Sequence, residues 1–289
     1  MGPGSTKSAV RVSCAAALFV ISCARLRPRA DAGREASADD GAVADAAAEA
    51  SGPDAASGVD PPPALEAGAD LIELDVPGYL SSFLSVPTGA TRARPVLVAA
   101  HGVGDRPDWQ CNEWRRLLGA RAWILCPRGI KSDRWSTRGD TRWTWAGPVF
   151  MKREIDAALA ARFAPFVDEE RMVYAGFSYG AANGVAIAAE GAARFPYVVL
   201  TEGGADRWTV PLAHDFVNNG GKRVLFVCGQ KSCVSEASTI LDMLHRAEVD
   251  AKLEYGVGEG HGYGGAVAER IRAEFSWVTV GDPRWAISE

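Results

Sequence analysis

Met172-Val173-Tyr174-Ala175-Gly176-Phe177-Ser178-Tyr179-Gly180-Ala181-Ala182 sets an apolar run directly against G-x-S-x-G and two small residues. A short continuous apolar run fits a strand buried on both faces. The stretch from Ala181 to Ala189 reads as a helix. Between them the chain must turn sharply, and the glycines tolerate the close packing that such a turn imposes. In this strand-turn-helix setting the motif lifts its serine above the end of a sheet, so Ser178 is a candidate nucleophile.

Working outward, similar apolar runs recur at Val96–Ala100, Ala122–Cys126, Val198–Leu200, Val224–Val227 and Lys252–Tyr255. Leu71–Val76 and Tyr79–Val86, separated by Pro77-Gly78, read as two antiparallel strands. Helical patterns at Trp109–Leu118, Lys152–Phe163, Ala181–Ala189, Ser235–Ala247 and Ala266–Trp277 alternate with the runs. Alternation of this kind predicts β-α-β units and a mostly parallel, doubly wound α/β sheet, with the site at the carboxyl ends of its strands.

A serine hydroxyl needs a base, and the chain has four His. His214 lies in a polar stretch, His245 inside a helix, and His101 precedes the serine. His261 follows the last strand in the glycine-rich segment Gly256–Gly265, just before the final helix, and is the expected base. Gly260–Gly265 also matches G-x-G-x-x-G, but no further β-α-β unit with an acid follows, so a dinucleotide reading fails. An oxyanion needs backbone donors. The N–H of Tyr179 is one candidate, and that of Val103, in His101-Gly102-Val103-Gly104 after the strand Val96–Ala100, is the second.

Together His101-Gly102, Cys126-Pro127-Arg128-Gly129, Val167-Asp168-Glu169-Glu170-Arg171 leading into the serine turn, and Gly260-His261 make residues 71–289 resemble an α/β-hydrolase of the small esterase type, akin to dienelactone hydrolases and carboxylesterases. The intervals between strands leave no room for a large separate cap, so an open cleft with no dependence on metal or cofactor is expected. The resemblance implies a Ser-His-acid hydrolase. It departs at one point. The acid of this family usually follows the strand before the His, as G-x-x-D, and Gly229-Gln230-Lys231-Ser232 puts serine there. Some members carry the acid after the preceding strand, where Glu202-Gly203-Gly204-Ala205-Asp206 stands. Asp206 is favoured, with Glu202, Glu236 or no acid at all as alternatives. Trp135, Trp143 and Trp145 follow Pro127-Arg128-Gly129 at the expected mouth. There they offer aromatic surface for an acyl chain, an aryl ester or a sugar ring, or else pack against the domain.

Charge divides the chain of 289 residues sharply. Residues 1–30 carry five Lys/Arg and no acid, residues 31–70 carry ten acids against Arg34, and the remainder is close to neutral. A near-neutral domain argues against nucleic acid as a partner. Lys7 and Arg11 precede the apolar stretch Val12–Ile21, which is too short to span a membrane and fits an export signal over 1–22. Val20-Ile21-Ser22-Cys23 resembles the lipobox of bacterial lipoproteins, which implies lipidation of Cys23; an ordinary signal with Cys23 lost or free is the alternative. Residues 23–70, rich in Ala, Asp, Gly and Pro, read as a disordered tether, because they lack the apolar surface that would offset ordering entropy.

Apart from Cys14 and Cys23, four Cys remain, and an even number in an oxidising compartment suggests two disulfides. Three pairings are possible, of which Cys111 with Cys126 and Cys228 with Cys233 is expected. The sequence thus predicts an exported, lipid-anchored serine hydrolase acting on a small-molecule ester, touching the membrane only through its anchor. A peptidase or thioesterase on the same site, and a binding protein on a disabled scaffold, are the rivals.

Overall fold

The computed structural model describes residues 70–161 and 167–286. The expected signal, Cys23 and nearly all of the tether lie outside the described residues. Strand β1 (Leu71–Leu74) pairs antiparallel with β2 (Ser82–Ser85), and β2 pairs antiparallel with β4 (Trp123–Cys126). The rest of the sheet is parallel: β3 (Arg94–Ala100), β7 (Val167–Phe177), β8 (Tyr197–Thr201), β9 (Arg223–Cys228) and β10 (Asp250–Tyr255), in the spatial order β1-β2-β4-β3-β7-β8-β9-β10. Two further short strands, β5 (Ile130–Lys131) and β6 (Trp143–Thr144), form a separate hairpin that the apolar pattern did not signal.

Why the central strands read as continuous apolar runs is visible in β3. Val96, Val98 and Ala100 face one apolar layer while Leu97 and Ala99 face the other, and all five are fully buried. The first layer receives α2 (Pro148–Ala160), α3 (Tyr179–Glu190), α4 (Val210–Asn218) and α5 (Lys231–Arg246); the second receives α1 (Pro107–Leu118) and α6 (Gly265–Val278). Helices on both faces of a parallel sheet bring every loop after a parallel strand to one edge, where Ser178, Glu202 and His261 gather. Among the described residues no helix is long and apolar enough to cross a membrane.

Helix α4 was missed. Its start is legible afterwards: Thr209 caps it by accepting from the Leu212 N–H at 3.4 Å, Pro211 sits in its first turn, and Ala213 and Phe216 bury one face. His214, in the stretch read as polar, therefore lies on a helix. Helix α5 begins at Lys231, four residues earlier than expected, so Cys233 stands in its first turn.

Both expected disulfides are present. Cys111–Cys126 ties α1 to the end of β4, and Cys228–Cys233 ties the end of β9 to the start of α5. The second closes a small ring, with a sequence separation of 5. Even so, the chain-entropy argument assigns it about 2 kcal/mol. The double variant Cys228→Ser/Cys233→Ser is expected to lower the unfolding free energy by that much, read as a lower urea midpoint at unchanged slope. Identical unfolding curves for variant and parent would refute it.

Candidate active site

Ser178 joins β7 to α3 with φ 52° and ψ −113°, a conformation that costs a non-glycine residue roughly 1–3 kcal/mol. The surroundings impose it. The Ser178 N–H donates to Thr201 O at 2.9 Å, and Ser178 O accepts the first helical bond from Ala182 N–H at 2.9 Å. Buried Tyr174 donates its hydroxyl to Gly180 O at 2.7 Å, securing the first turn of α3. Gly180 lies so close to β3 that a Cβ there would stand 2.2 Å from Ala100 O.

His261 completes a relay. Its Nε2 is 3.0 Å from Ser178 Oγ, and its Nδ1 is 3.1 Å from Glu202 Oε2. The ring is half-exposed and packs at 5.1 Å against Phe177. Phe177 also meets Tyr263 edge to face, at 4.7 Å. The Tyr263 hydroxyl donates to Asp105 Oδ1 at 3.3 Å, and burial together with the Asp105 charge pushes its pKa up, so the phenol keeps its proton.

The acid beside His261 is Glu202 and not Asp206. Glu202 follows β8 directly, with φ 54°, and is 5% exposed. Oε1 accepts from the Gly229 and Gln230 N–H groups, the second at 3.0 Å. Oε2 accepts from the Gln230 side-chain amide at 2.7 Å. The left-handed turn at Glu202 aims its side chain across the strand ends. Gly203 then presses on the Ser178 backbone, and the chain carries Asp206 outward into a 3₁₀ turn. There Asp206 is 55% exposed and paired with its neighbour Arg207 at 3.2 Å. That corrects the preference for Asp206. Glu236 is exposed on α5, and Ser232 occupies its first turn.

Gln230 was not foreseen. Its amide also lies 2.9 Å from His261 Nδ1, so the loop that carries the acid in the resembled family here holds an acid supplied by the neighbouring strand. The signal available was its place two residues after β9, within the Gly229-Gln230-Lys231-Ser232 stretch where an acid was sought.

Gly102 faces the serine, since a Cβ there would be 3.1 Å from Ser178 Cβ. Tyr179 opens α3, and Val103 follows Gly102 in the loop after β3. His101 braces this loop. It is fully buried, its Nδ1 lies 2.8 Å from Gly102 O and its Nε2 2.9 Å from Arg128 O. Burial lowers its pKa, with the two carbonyls working in the opposite sense.

The three tryptophans separate. Trp145 is buried, stacks on His101 at 4.6 Å and donates its indole N–H to His101 O at 2.7 Å, so it supports the loop and does not stand at the mouth. Trp143 lies half-buried in β6 under the Arg128 guanidinium. Trp135 alone of the three is largely exposed, at 53%, seated on Gly104. Among the described residues Glu202, Cys228 and Cys233 bring three ligand-type side chains within 4.8 Å, but the two sulfurs are bonded to each other.

No protein-family model and no curated protein matches the sequence. Solved structures do share its architecture. An uncharacterized protein from Bacillus cereus ATCC 10987 superposes with TM-score 0.53 at 15% identity over 65% of this chain and 60% of that one, so the chain spans about three fifths of its length. A dienelactone hydrolase from Anabaena variabilis ATCC 29413 gives TM-score 0.51 at 14% identity over 72% of this chain and 95% of that one. Esterase PE8 gives 0.50 at 16% identity over 67% and 95%. At these identities the likeness establishes the fold, which is that of the α/β-hydrolases.

Proposed function

We propose that this chain, an α/β-hydrolase by fold, cleaves a carboxylic ester of a small molecule through an acyl-enzyme on Ser178. The observation that carries the reading is the continuous relay Ser178 Oγ, His261 Nε2 and Nδ1, Glu202 Oε2, with steps of 3.0 and 3.1 Å. In this mechanism Oγ attacks the ester carbonyl while His261 Nε2 takes its proton. Glu202 accepts from Nδ1–H, which fixes the productive tautomer and offsets the charge of the imidazolium. The N–H groups of Tyr179 and Val103 receive the oxyanion. Collapse of the tetrahedral intermediate expels the alcohol, which leaves with the proton held on Nε2. Water, deprotonated by the same nitrogen, then releases the acid and restores Ser178. Of the three tryptophans, Trp135 offers exposed aromatic surface to the substrate.

The disabled-scaffold alternative was motivated by Ser232, and Glu202 removes that motive. Two disulfides suit an oxidising compartment. Export with lipidation of Cys23 extends the reading: metabolic labelling with a palmitate analogue should mark the parent and not Cys23→Ala.

The test of the activity is a nitrophenyl ester series combined with a fluorophosphonate probe. Turnover, with the probe mapped by peptide mass to Ser178, is the expected result. No turnover and no label on Ser178 would overturn the proposal.

A further inference from the structure

A cavity of about 330 Å³ opens at the carboxyl edge of the sheet, beside the candidate active site but lined by none of Ser178, His261 and Glu202. Its walls come from the turn before β2 (Tyr79, Leu80), the segment after β4 (Ile130), Trp145 and the start of α2 (Phe150, Glu154). Two features set it apart from an ordinary surface hollow. Tyr79, Leu80, Ile130 and Phe150 are 38–57% exposed, so four large apolar side chains gather at one opening that no described residue covers. The one charged side chain in the lining, Glu154, is 4% exposed.

The two oxygens of Glu154 differ. Oε1 accepts from the Arg128 and Gly129 N–H groups at 2.8 and 2.9 Å, whereas Oε2 accepts from no described residue and is not fully buried, so it is left accessible. The nearby Arg128 guanidinium does not pair with it; that group lies over the Phe83 and Trp143 rings at 4.9 and 5.2 Å and bonds Glu73 at 2.9 Å. Burial accordingly pushes the Glu154 pKa up against the pull of the two N–H groups and of Arg128.

We propose that this cavity binds a small organic ammonium ion, with its apolar part against Tyr79, Leu80, Ile130 and Phe150 and its charge toward Glu154. An anion would meet the carboxylate's own charge, and a purely apolar guest would bury that charge without compensation. A cation supplies the missing partner, and the Tyr79 and Phe150 rings favour it as well. None of this depends on ester hydrolysis.

The test is titration of the full chain at neutral pH with three probes of one size, benzylammonium, benzyl alcohol and benzoate, followed by calorimetry and saturation-transfer NMR. Benzylammonium is expected to bind at least about tenfold more tightly than benzyl alcohol, a preference of about 1.4 kcal/mol, with benzoate weakest. Glu154→Gln keeps an amide oxygen for the two backbone N–H groups and removes the charge. It should abolish the preference while leaving benzyl alcohol affinity unchanged. Phe150→Ser, at the rim, should weaken both. Equal affinity of the parent for benzylammonium and benzyl alcohol would overturn the proposal in favour of an uncharged docking face. Absence of binding by any probe would overturn it outright, as would a preference that survives Glu154→Gln. If Glu154→Gln fails to fold, the three-probe series on the parent still decides.

Discussion

Glu202→Gln is expected to lower kcat on a nitrophenyl ester by about three to four orders of magnitude with KM little changed, while Asp206→Asn stays within about twofold. The asymmetry follows from what each carboxylate touches. Glu202 faces His261 Nδ1 at 3.1 Å and is buried, whereas Asp206 is exposed and paired with its neighbour Arg207. In Glu202→Gln the amide oxygen is drawn to the Gly229 and Gln230 N–H groups that Oε1 now serves. The amide nitrogen is then left toward Nδ1, where it favours the tautomer protonated on Nε2, which cannot accept the serine's proton. The loss should fall on kcat because the substrate does not contact Glu202. Fluorophosphonate labelling of Ser178 should slow in parallel, which separates a chemical defect from one of product release. Comparable losses in both variants, or full activity in Glu202→Gln, would remove Glu202 from the role.

What the sequence disclosed and what it withheld differ for physical reasons. The serine turn was legible because its constraints are local: a buried strand, a sharp turn and a small-residue helix start all lie within 11 consecutive residues. His261 was legible by elimination among four His and by its place between the last strand and the last helix. The acid was not legible. Glu202 and Asp206 share one loop, and the choice rests on a left-handed backbone at Glu202, φ 54°, which no side-chain pattern announces in a glutamate. Gln230 is held in register by β8–β9 pairing and by the start of α5, both set by tertiary packing. Which of the two open readings each tryptophan takes was hidden for a similar reason. Trp143 lies in a two-residue strand and pairs with Lys131, 12 residues away, and that hairpin carries Trp145, the first residue after the strand, inward onto His101. Short strands of this kind carry too few residues to show a period.

Gly180→Ala is expected to cost about 3 kcal/mol, a fall in Tm of roughly 6–12 °C for a domain of this size, and to abolish labelling of Ser178. Gly262→Ala, in the loop beside His261, should shift Tm by less than about 2 °C. Both glycines flank catalytic candidates, yet the space around them differs. A Cβ at Gly180 would stand 2.2 Å from Ala100 O and 2.6 Å from His101 O, and these are backbone atoms at the end of the central strand β3. They cannot retreat without pulling the His101-Gly102-Val103 loop from the serine, and that loop is pinned by the bonds from His101 to Arg128 O and from Trp145 to His101 O. The alternative is for α3 to move away, which would break the bond from Tyr174 to Gly180 O and shift Ser178 at its N-terminus. Stability and chemistry therefore fail together. At Gly262 the nearest atoms lie 3.5 Å from a Cβ and belong to the Glu259 side chain, so an added methyl makes ordinary contact. Thermal melts and probe labelling of the two variants side by side measure both effects. A Gly180→Ala protein that melts within about 2 °C of the parent and labels at its rate would mean that the turn is not held by this contact.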